Sequence, residues 1–415
     1  MTPTTTAWVA STARSAAAGV LAVVVLGLAA GDDAAAQTYY KGNTAAVLSS
    51  TASWWTTESG GTNPASLATT GTFWFGGAGQ AASGTWSLGA DMSVGQVRLD
   101  NITGTPGYSA TIATGNTLTL NNATAINLNS GAGGSLTINA GVAAATAQSW
   151  VTSRTLAMSG SVAIGGNTIT VNTAGVNGVF TISGVVTGTR GAGANAFLLS
   201  PTSASGGRFI LSNAGNSFTG DIEFTTGLSS ILEFTSAAAL GANSSAYQVR
   251  FRNTAGTTGS GSILRYTGTT NETVGKTIQC DTSIGIRLQS DSVGGSVTFN
   301  GGFSQTNRGL YLEGAGSGDN TLASVFAGNG GITKRDAGTW FLNQANTYTG
   351  ATTLVSGTLK VASVANGGAS SALGASGTAA AGLVFAGGAL TYTGTGHATN
   401  RAFTISASPT INADG

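Results

Sequence analysis

Short runs in which apolar and polar residues alternate fill most of this 415-residue chain. An alternation of period two places apolar side chains on one face of an extended strand and Thr or Asn on the other. Glycine pairs such as Gly165-Gly166 and Gly294-Gly295 separate the runs and indicate turns. The pattern therefore predicts an all-β protein. The clearest runs lie at 117–121, 125–129, 135–139, 168–172 and 296–300.

Internal repeats favour a solenoid over a sandwich or a barrel, the other architectures that short strands build. The block Asn-Ser-Phe-Thr-Gly at 216–220 recurs as Asn-Thr-Tyr-Thr-Gly at 346–350. Ala-Leu-Gly follows each block, at 239–241 and at 372–374. A unit of about 130 residues is too long for one coil, so we expect several coils in each copy. A third match joins 264–269 to 390–395.

One segment resembles a known family. It combines Gly-Ile-Thr-Lys at 331–334, Gly-Thr-Trp-Phe-Leu at 338–342, Asn-Thr-Tyr-Thr-Gly-Ala-Thr at 346–352 and Gly-Thr-Leu at 357–359. Together these motifs resemble the autotransporter-associated β-strand repeat. A degenerate copy at 207–227 lacks the Thr-Lys pair. The tryptophan-rich start of the chain also resembles the segment that often precedes such repeats, with Trp54, Trp55, Trp74 and Trp86.

The resemblance implies a right-handed parallel β-helix that is displayed on the surface of a Gram-negative-type bacterium, associated with its outer membrane, or secreted from it. It supplies no catalytic residues. It also implies an outer-membrane β-barrel translocator at the C-terminus of such a protein. Because the chain stops at Gly415, inside the second repeat, we expect either a truncated sequence or another export route.

The N-terminus predicts an export signal over residues 1–36. Arg14 precedes an apolar run from Ala16 to Ala30, and a small-residue cleavage site ends at Ala36. We expect the export machinery to act on this segment. Residues 37–86 are predicted to form an aromatic-rich cap, and residues 87–415 the β-helix. Within the helix we divide the repeats at about 207–337 and 338–415, the second being incomplete.

Charge and cysteine content exclude several classes of function. Sixteen basic and 15 acidic residues give a net charge of +1. Because no basic stripe is visible in the sequence, we predict no nucleic-acid partner. Four lysines are too few for an anionic membrane patch. The single cysteine, Cys280, cannot form an internal disulfide, and we expect it to be a small buried apolar residue.

Three short motifs suggest chemistry and are rejected on their context. His397 lacks the partners of a metal cluster or a catalytic triad, so we expect a solvated turn residue. Gly275-Lys276-Thr277 lacks the first glycine of a phosphate loop and precedes a strand-like run. The stretch 314–319 faintly resembles calcium-binding repeats but occurs once. We predict no cofactor, no metal and no catalytic residue.

Asp281, Asp291 and Glu313 are the closest approach to an acidic group. On neighbouring coils they could serve a polysaccharide-active enzyme, a lyase or a hydrolase, although scattered solvated carboxylates are the favoured interpretation. We therefore predict a non-catalytic structural or adhesive protein that binds extracellular glycans or proteins by repeated weak contacts. The repeated aromatics at 218, 266, 348 and 392 suit packing and turns, and an exposed one would also suit weak glycan stacking. A self-assembling matrix or surface-layer component is the third hypothesis.

Overall fold

The structure is a computed structural model. It describes residues 37–41, 47–56, 63–75, 83–100, 109–129, 134–174, 178–202, 207–225, 229–252, 261–280, 285–305 and 308–414. The predicted export signal lies outside these residues and stays a prediction.

The described chain is a parallel β-solenoid, as the sequence predicts. Two long sheets run along it. The first sheet has 12 strands: β1 (Thr38–Lys41), β2 (Trp54–Trp55), β3 (Thr72–Phe75), β6 (Gln96–Asp100), β9 (Thr124–Asn129), β12 (Gln148–Thr152), β15 (Ile169–Thr173), β18 (Asn195–Leu199), β20 (Asp221–Phe224), β22 (Gln248–Phe251), β25 (Thr277–Cys280) and β28 (Phe303–Gln305).

The second sheet has 14 strands, one for each coil. They are β4 (Gly84–Trp86), β7 (Ser109–Ile112), β10 (Ser135–Ile138), β13 (Thr155–Met158), β16 (Val179–Ile182), β19 (Arg208–Leu211), β21 (Ile231–Phe234), β23 (Ile263–Tyr266), β26 (Ile286–Ser290), β29 (Leu310–Glu313), β31 (Ile332–Lys334), β33 (Thr352–Leu354), β35 (Leu383–Ala386) and β37 (Thr404–Ala407).

Two shorter sheets take the strand that follows the second sheet in chain order. The third sheet holds β5 (Met92–Val94), β8 (Thr117–Leu120), β11 (Gly141–Ala144), β14 (Val162–Gly165) and β17 (Val186–Gly188). The fourth sheet holds β24 (Asn271–Val274), β27 (Ser296–Phe299), β30 (Asp319–Leu322), β32 (Thr339–Leu342), β34 (Thr358–Val361), β36 (Ala389–Tyr392) and β38 (Thr410–Ala413). Short 3₁₀ turns cover Thr51–Ser53, Ala237–Leu240 and Ala380–Gly382.

The alternating runs of the sequence become strands whose apolar residues line the interior. In β10, for example, Leu136 and Ile138 are fully buried while Ser135 and Thr137 are half-buried on the outside. Consecutive strands of the second sheet begin 20 to 32 residues apart, so each coil closes within that length. With about 4.8 Å between coils, 14 strands span roughly 60 Å. No helix among the described residues is long and apolar enough to span a membrane.

An aromatic cluster fills the solenoid at its N-terminal end. The Trp54 ring lies edge-on to the Phe73 and Phe75 rings, at centroid distances of 4.7 and 5.4 Å. Phe75 in turn contacts Trp86 at 5.5 Å. β2 pairs with β1 in antiparallel orientation, whereas β1 pairs with β3 in parallel. An antiparallel strand at the first sheet's end hinders further parallel stacking, so we propose that this segment caps the solenoid.

The two sequence repeats are related by a shift of one strand within the coil. β19, β20 and β21 of the first copy lie on the second, first and second sheets, while the corresponding β32, β33 and β34 lie on the fourth, second and fourth sheets. The third match, Tyr266 and Tyr392, follows the same shift from the second to the fourth sheet. The copies therefore present their equivalent residues on different sheets.

The repeated asparagine links three successive coils. The Asn216 side chain accepts a hydrogen bond from the Val186 N–H (2.8 Å) and donates one to the Ala239 carbonyl (2.8 Å). Asn346 accepts from the Phe326 N–H (2.8 Å) and donates to the Ala372 carbonyl (3.0 Å) in the same manner. Backbone hydrogen bonds also join the coils here, from the Ser217 N–H to the Val186 carbonyl (2.9 Å) and from the Thr347 N–H to the Phe326 carbonyl (3.0 Å). The asparagine side chain therefore adds to the backbone contacts between the coils and satisfies groups that they leave unpaired.

The repeated glycines that follow are fixed by the rings beneath them. Gly241 and Gly374 have φ of +79° and +75°, and an added Cβ would lie within 3 Å of the Phe218 and Tyr348 rings, respectively. Only glycine meets both demands without strain. The sequence repeat thus corresponds to a packing unit in which an aromatic ring of one coil packs against a glycine of the next coil.

Candidate functional site

A strip of charged side chains runs along the outer surface of the second sheet. It occupies two neighbouring columns that the strand register defines. In the first column Arg208, Ile231, Ile263, Arg287 and Tyr311 follow one another on successive coils. The second column runs, in the same way, through Ile210, Glu233, Arg265, Gln289 and Glu313. We call these residues, with Asp291 and Arg335, the charged strip.

Ion pairs connect the first coils of the strip. An Nη2 atom of Arg208 donates to Glu233 Oε2 at 2.6 Å. Arg265 lies between two acids, 3.7 Å from Glu233 and 3.5 Å from Asp291. The Gln289 amide also donates to Asp291 at 2.6 Å. Each contact joins different coils or neighbouring positions on one coil, so the pairs help to hold the coils in register.

Glu313 is the centre of the later coils of the strip. Arg287 donates to its Oε2 through Nε (2.9 Å) and Nη2 (2.7 Å), and an Nη1 atom of Arg335 lies 3.5 Å from its Oε1. The Arg335 guanidinium also stacks over the Tyr311 ring at 4.3 Å. The Glu313 carboxylate is therefore occupied by two guanidinium groups and is not placed to act as a free acid or base.

Two of the three acids of the strip lie beneath its arginines. The Glu233 and Glu313 side chains are 9% and 2% exposed, whereas Arg208 and Arg335 are 38% and 35% exposed. The third acid, Asp291, is 34% exposed beside Arg265. Around Glu233 and Glu313 the strip therefore presents guanidinium donors above buried carboxylates, and its exposed negative charge lies at Asp291.

A second, smaller cluster lies on the first sheet. Arg250 approaches Asp221 at 3.2 Å and Glu223 at 3.8 Å, and Arg252 approaches Glu223 at 3.5 Å. Asn195 donates to Glu223 at 3.2 Å. Arg250 is only 14% exposed, whereas Arg252 is 43% exposed, so one guanidinium of this cluster faces solvent while both acids are largely buried.

A shallow depression of about 120 Å³ opens on the charged strip. Its lining includes the two isoleucines of the first column, Ile231 and Ile263, with Arg287 at one side. Ser230 is 2% exposed, lines the depression, and its hydroxyl has no hydrogen-bond partner among the described residues. An apolar floor with a guanidinium and an unpaired hydroxyl is chemically suited to a sugar that carries an anionic group.

The structure describes two of the three carboxylates that the sequence grouped. Asp281 lies outside the described residues. Asp291 and Glu313 are on neighbouring coils, as their spacing suggested, but each is paired with arginine. The expectation of a solvated carboxylate is therefore wrong for Glu313, which is 2% exposed, whereas Asp291 is 34% exposed. Among the described residues no group of three or more His, Cys, Asp or Glu side chains is arranged to hold a metal ion.

The other residues named in the sequence analysis are exposed, buried or paired as follows. His397 is exposed, and its Nδ1 lies 2.6 Å from the Tyr392 hydroxyl. Cys280 is fully buried in β25, as predicted. Asp319, in the calcium-like stretch, pairs with Lys360 at 2.6 Å. The repeated aromatics have the packing role expected from the sequence, because Phe218, Tyr266 and Tyr348 are fully buried, and of the four only Tyr392 is partly exposed.

Three of the four lysines are buried rather than solvated, namely Lys41, Lys276 and Lys334. The Lys276 amine donates to the Gly220 carbonyl (3.3 Å) and lies 5.1 Å from the Tyr247 ring centroid, and Lys334 donates to the carbonyls of Asp336 (2.8 Å) and Ser356 (3.3 Å). Burial lowers the pKa of Lys276 to about 8, with Asp221 opposing the shift. Burial likewise lowers the pKa of Lys334 to about 8, opposed by the acids beside it.

The sequence interpretation missed the charged strip, although a signal was present. Strands of the region contain one arginine each at an outward position, as in β19, β23 and β26. Alternation alone assigns them to the surface. Their alignment into one strip, however, depends on coils of 20 to 32 residues, which no fixed sequence spacing reveals.

Comparison with known proteins agrees with this architecture. The model of the passenger-associated-transport-repeat family matches residues 332–361. The Adhesin BmaC autotransporter of Brucella suis biovar 1 (strain 1330) is 41% identical over 162 residues, which is 36% of this chain and 5% of that protein. No solved structure matches significantly. The chain thus covers a small part of the length of this relative.

A parallel β-solenoid with a repeated strand unit is the class that the fold defines. Within that class, the chain contains a segment that matches the passenger-associated-transport repeat, and over 162 residues it is similar to an autotransporter adhesin.

Proposed function

We propose that this chain is the surface-displayed, adhesive, non-catalytic part of an autotransporter-like protein. The observation that carries the proposal is the 41% identity over 162 residues to a protein named an autotransporter adhesin. The solenoid is compatible with this function, because it builds a long surface from short coils and places varied side chains on its outer columns.

The chemistry of the charged strip supports a binding role over an enzymatic one. A polysaccharide-cleaving carboxylate pair needs one acid that can donate a proton and one that remains available to the substrate or water. Glu313 is enclosed by Arg287 and Arg335, and Asp291 is engaged by Arg265 and Gln289. Groups held in this way contribute to shape and charge rather than to proton transfer.

Export and location belong to the same proposal. We propose that the segment 1–36 directs export, that the passenger is held at the outer membrane of a Gram-negative cell, and that a translocator domain serves its secretion. Its partners would be glycans or proteins on other surfaces. The similarity of the repeat to a passenger-associated-transport repeat supports this route.

Adhesion can be tested in the native host by deleting the gene and restoring it. Intact cells are stained with antibody against the folded chain, and their attachment to surfaces coated with glycans or matrix proteins is counted. We expect staining of intact cells and a loss of attachment that the restored gene reverses. Unchanged attachment, together with release of sugar fragments by the purified chain, would contradict the proposal and favour a polysaccharide-active enzyme.

A further inference from the structure

The depression on the charged strip has an alignment that suits an extended anionic ligand. Arg208 and Arg287 occupy the same outward column with Ile231 and Ile263 between them. Three coil steps separate the two arginines, which corresponds to about 14 Å at 4.8 Å per coil. A single small anion would reach only one of these guanidiniums, whereas a chain of sugars could contact both.

Polar atoms of this surface are also left without protein partners. The Ser230 hydroxyl is buried against the depression and unpaired, and the buried Arg208 Nε has no hydrogen-bond partner among the described residues. Buried polar atoms are normally paired, so two such atoms on one surface indicate groups that a ligand can satisfy. Arg287 uses Nε and Nη2 for Glu313 and makes only a long contact, 3.5 Å, through Nη1 to Gly261.

The sign of the exposed charge selects the ligand. Arg208 is exposed while its partner acid is largely covered, so a carboxylate or sulfate can approach the guanidinium without meeting Glu233. The apolar floor of Ile231 and Ile263 suits the hydrophobic face of a sugar ring. A neutral glycan offers only hydroxyl oxygens, which pair more weakly with a guanidinium than a carboxylate or sulfate does.

We infer that the depression between Arg208 and Arg287 binds an acidic polysaccharide, with one carboxylate or sulfate group near Ser230 and Arg287 and the chain running along the coils toward Arg208. The inference rests on the proposed adhesive function and names the ligand class of its surface. No bond is made or broken, and the ligand is held by hydrogen bonds and charge.

Binding is measured with the full exported chain immobilised and with three probes: polygalacturonate, heparin and uncharged dextran. We expect binding of at least one of the two polyanions, weakened by added salt because exposed charges are screened, and none of dextran. Equal binding of dextran, or no binding of either polyanion, would overturn the inference.

Serine variants locate the site without breaking an ion pair. Ser230→Ala removes the unpaired hydroxyl, and we expect about 5-fold weaker binding with unchanged stability, the size of one lost hydrogen bond. Ser290→Ala is the matched control, because Ser290 is equally buried and also unpaired but lies on the inner column of the same sheet. Equal effects of the two variants would overturn the site.

Charge variants give the larger effect. Ser229→Glu places a negative charge at the edge of the depression and should weaken polyanion binding more than 10-fold, while Thr353→Glu, farther along the same sheet, should not. Arg287→Gln should also weaken it more than 10-fold, and Arg250→Gln on the first sheet is the control for equal loss of charge. Equal losses from Arg287→Gln and Arg250→Gln would show unspecific attraction and overturn the site.

The two proposals fail in different ways. If cells that carry Ser229→Glu attach normally while deletion abolishes attachment, the adhesive function stands and the polysaccharide site is wrong. If the purified chain binds the polyanion at this site but deletion leaves attachment unchanged, the site stands and adhesion is wrong.

Discussion

The two repeat copies share their interior and differ on their surface. Leu232 and Leu359 are equivalent and fully buried, as are the rings of Phe218 and Tyr348. The outward Glu233 of the first copy, in contrast, corresponds to Lys360 in the second. The solenoid dictates only the inner column, because closing a coil requires packed apolar groups, and it leaves the outer columns free to carry whatever chemistry a surface needs.

The same comparison shows where the charged strip belongs. Arg208 and Arg265 of the first copy correspond to Thr339 and Thr391 of the second. The first copy thus adds ion pairs to a packing unit that the second copy builds with threonine. Since both form regular coils, the charges are not required for the fold, which is consistent with a role in binding.

Truncation of the equivalent inner leucines should have the largest effect and should be equal in the two copies. Leu232→Ala and Leu359→Ala each remove a fully buried side chain next to other apolar groups. We expect a loss of about 3 kcal/mol in unfolding free energy for each, measured by urea denaturation followed by tryptophan fluorescence. A difference of more than about 1.5 kcal/mol would show that the interiors are not equivalent.

Replacing the asparagines that link the coils should have the second largest effect on the unfolding free energy, and the effect should be equal in the two copies. Asn216→Ala and Asn346→Ala each leave one buried N–H and one carbonyl unpaired. We expect about 2 kcal/mol of destabilisation for each in the same urea experiment. Asn412→Ala, at an exposed site on β38, is the control and should cost less than about 0.5 kcal/mol. Two links with no effect would mean that the repeated asparagine serves something other than coil stacking.

Substitutions of outward-facing charged residues should affect stability differently in the two copies. Glu233→Gln leaves Arg208 and Arg265 without their shared acid, and we expect a loss of about 1.5 kcal/mol because Arg208 is partly exposed. Lys360→Gln breaks an exposed pair with Asp319 and should cost less than about 0.5 kcal/mol. Both are read from the urea midpoint. Equal costs would remove the distinction between the partly buried ion pairs of the first copy and the exposed pair of the second.

The fold was predictable because its determinants are local. Alternating runs such as 135–139 gave β10, and the glycine pairs gave turns. The repeat blocks were found from the sequence, but the shift of the second copy by one strand was not. Because the number of residues per coil varies from 20 to 32, the sequence offset between the two copies does not reveal on which sheet a residue lies. The site was mostly missed for the same reason. Glu313 was singled out as an acid, yet its neighbours Arg287 and Arg335 are distant in sequence.

The buried lysine that precedes the second copy should give a small dependence on pH. The first copy lacks the Thr-Lys pair, whereas Lys334 is fully buried and its pKa is lowered by burial from 10.5 to about 8. Between these values the unfolded chain binds the proton and the folded chain does not, so stability rises with pH. Lys334 should add about 1 kcal/mol between pH 7.5 and 9, beside similar contributions from Lys41 and Lys276.

Urea unfolding of the native chain and of Lys334→Met across this interval measures that contribution. The variant carries no titrating amine at this position, so its stability should rise less steeply by about 1 kcal/mol. Lys360→Met is the matched control, because the Lys360 amine is on the surface beside Asp319, and it should keep the full slope. Stability that falls with pH in the native chain, or a slope unchanged in Lys334→Met, would show that the Lys334 amine stays protonated in its ring of carbonyls.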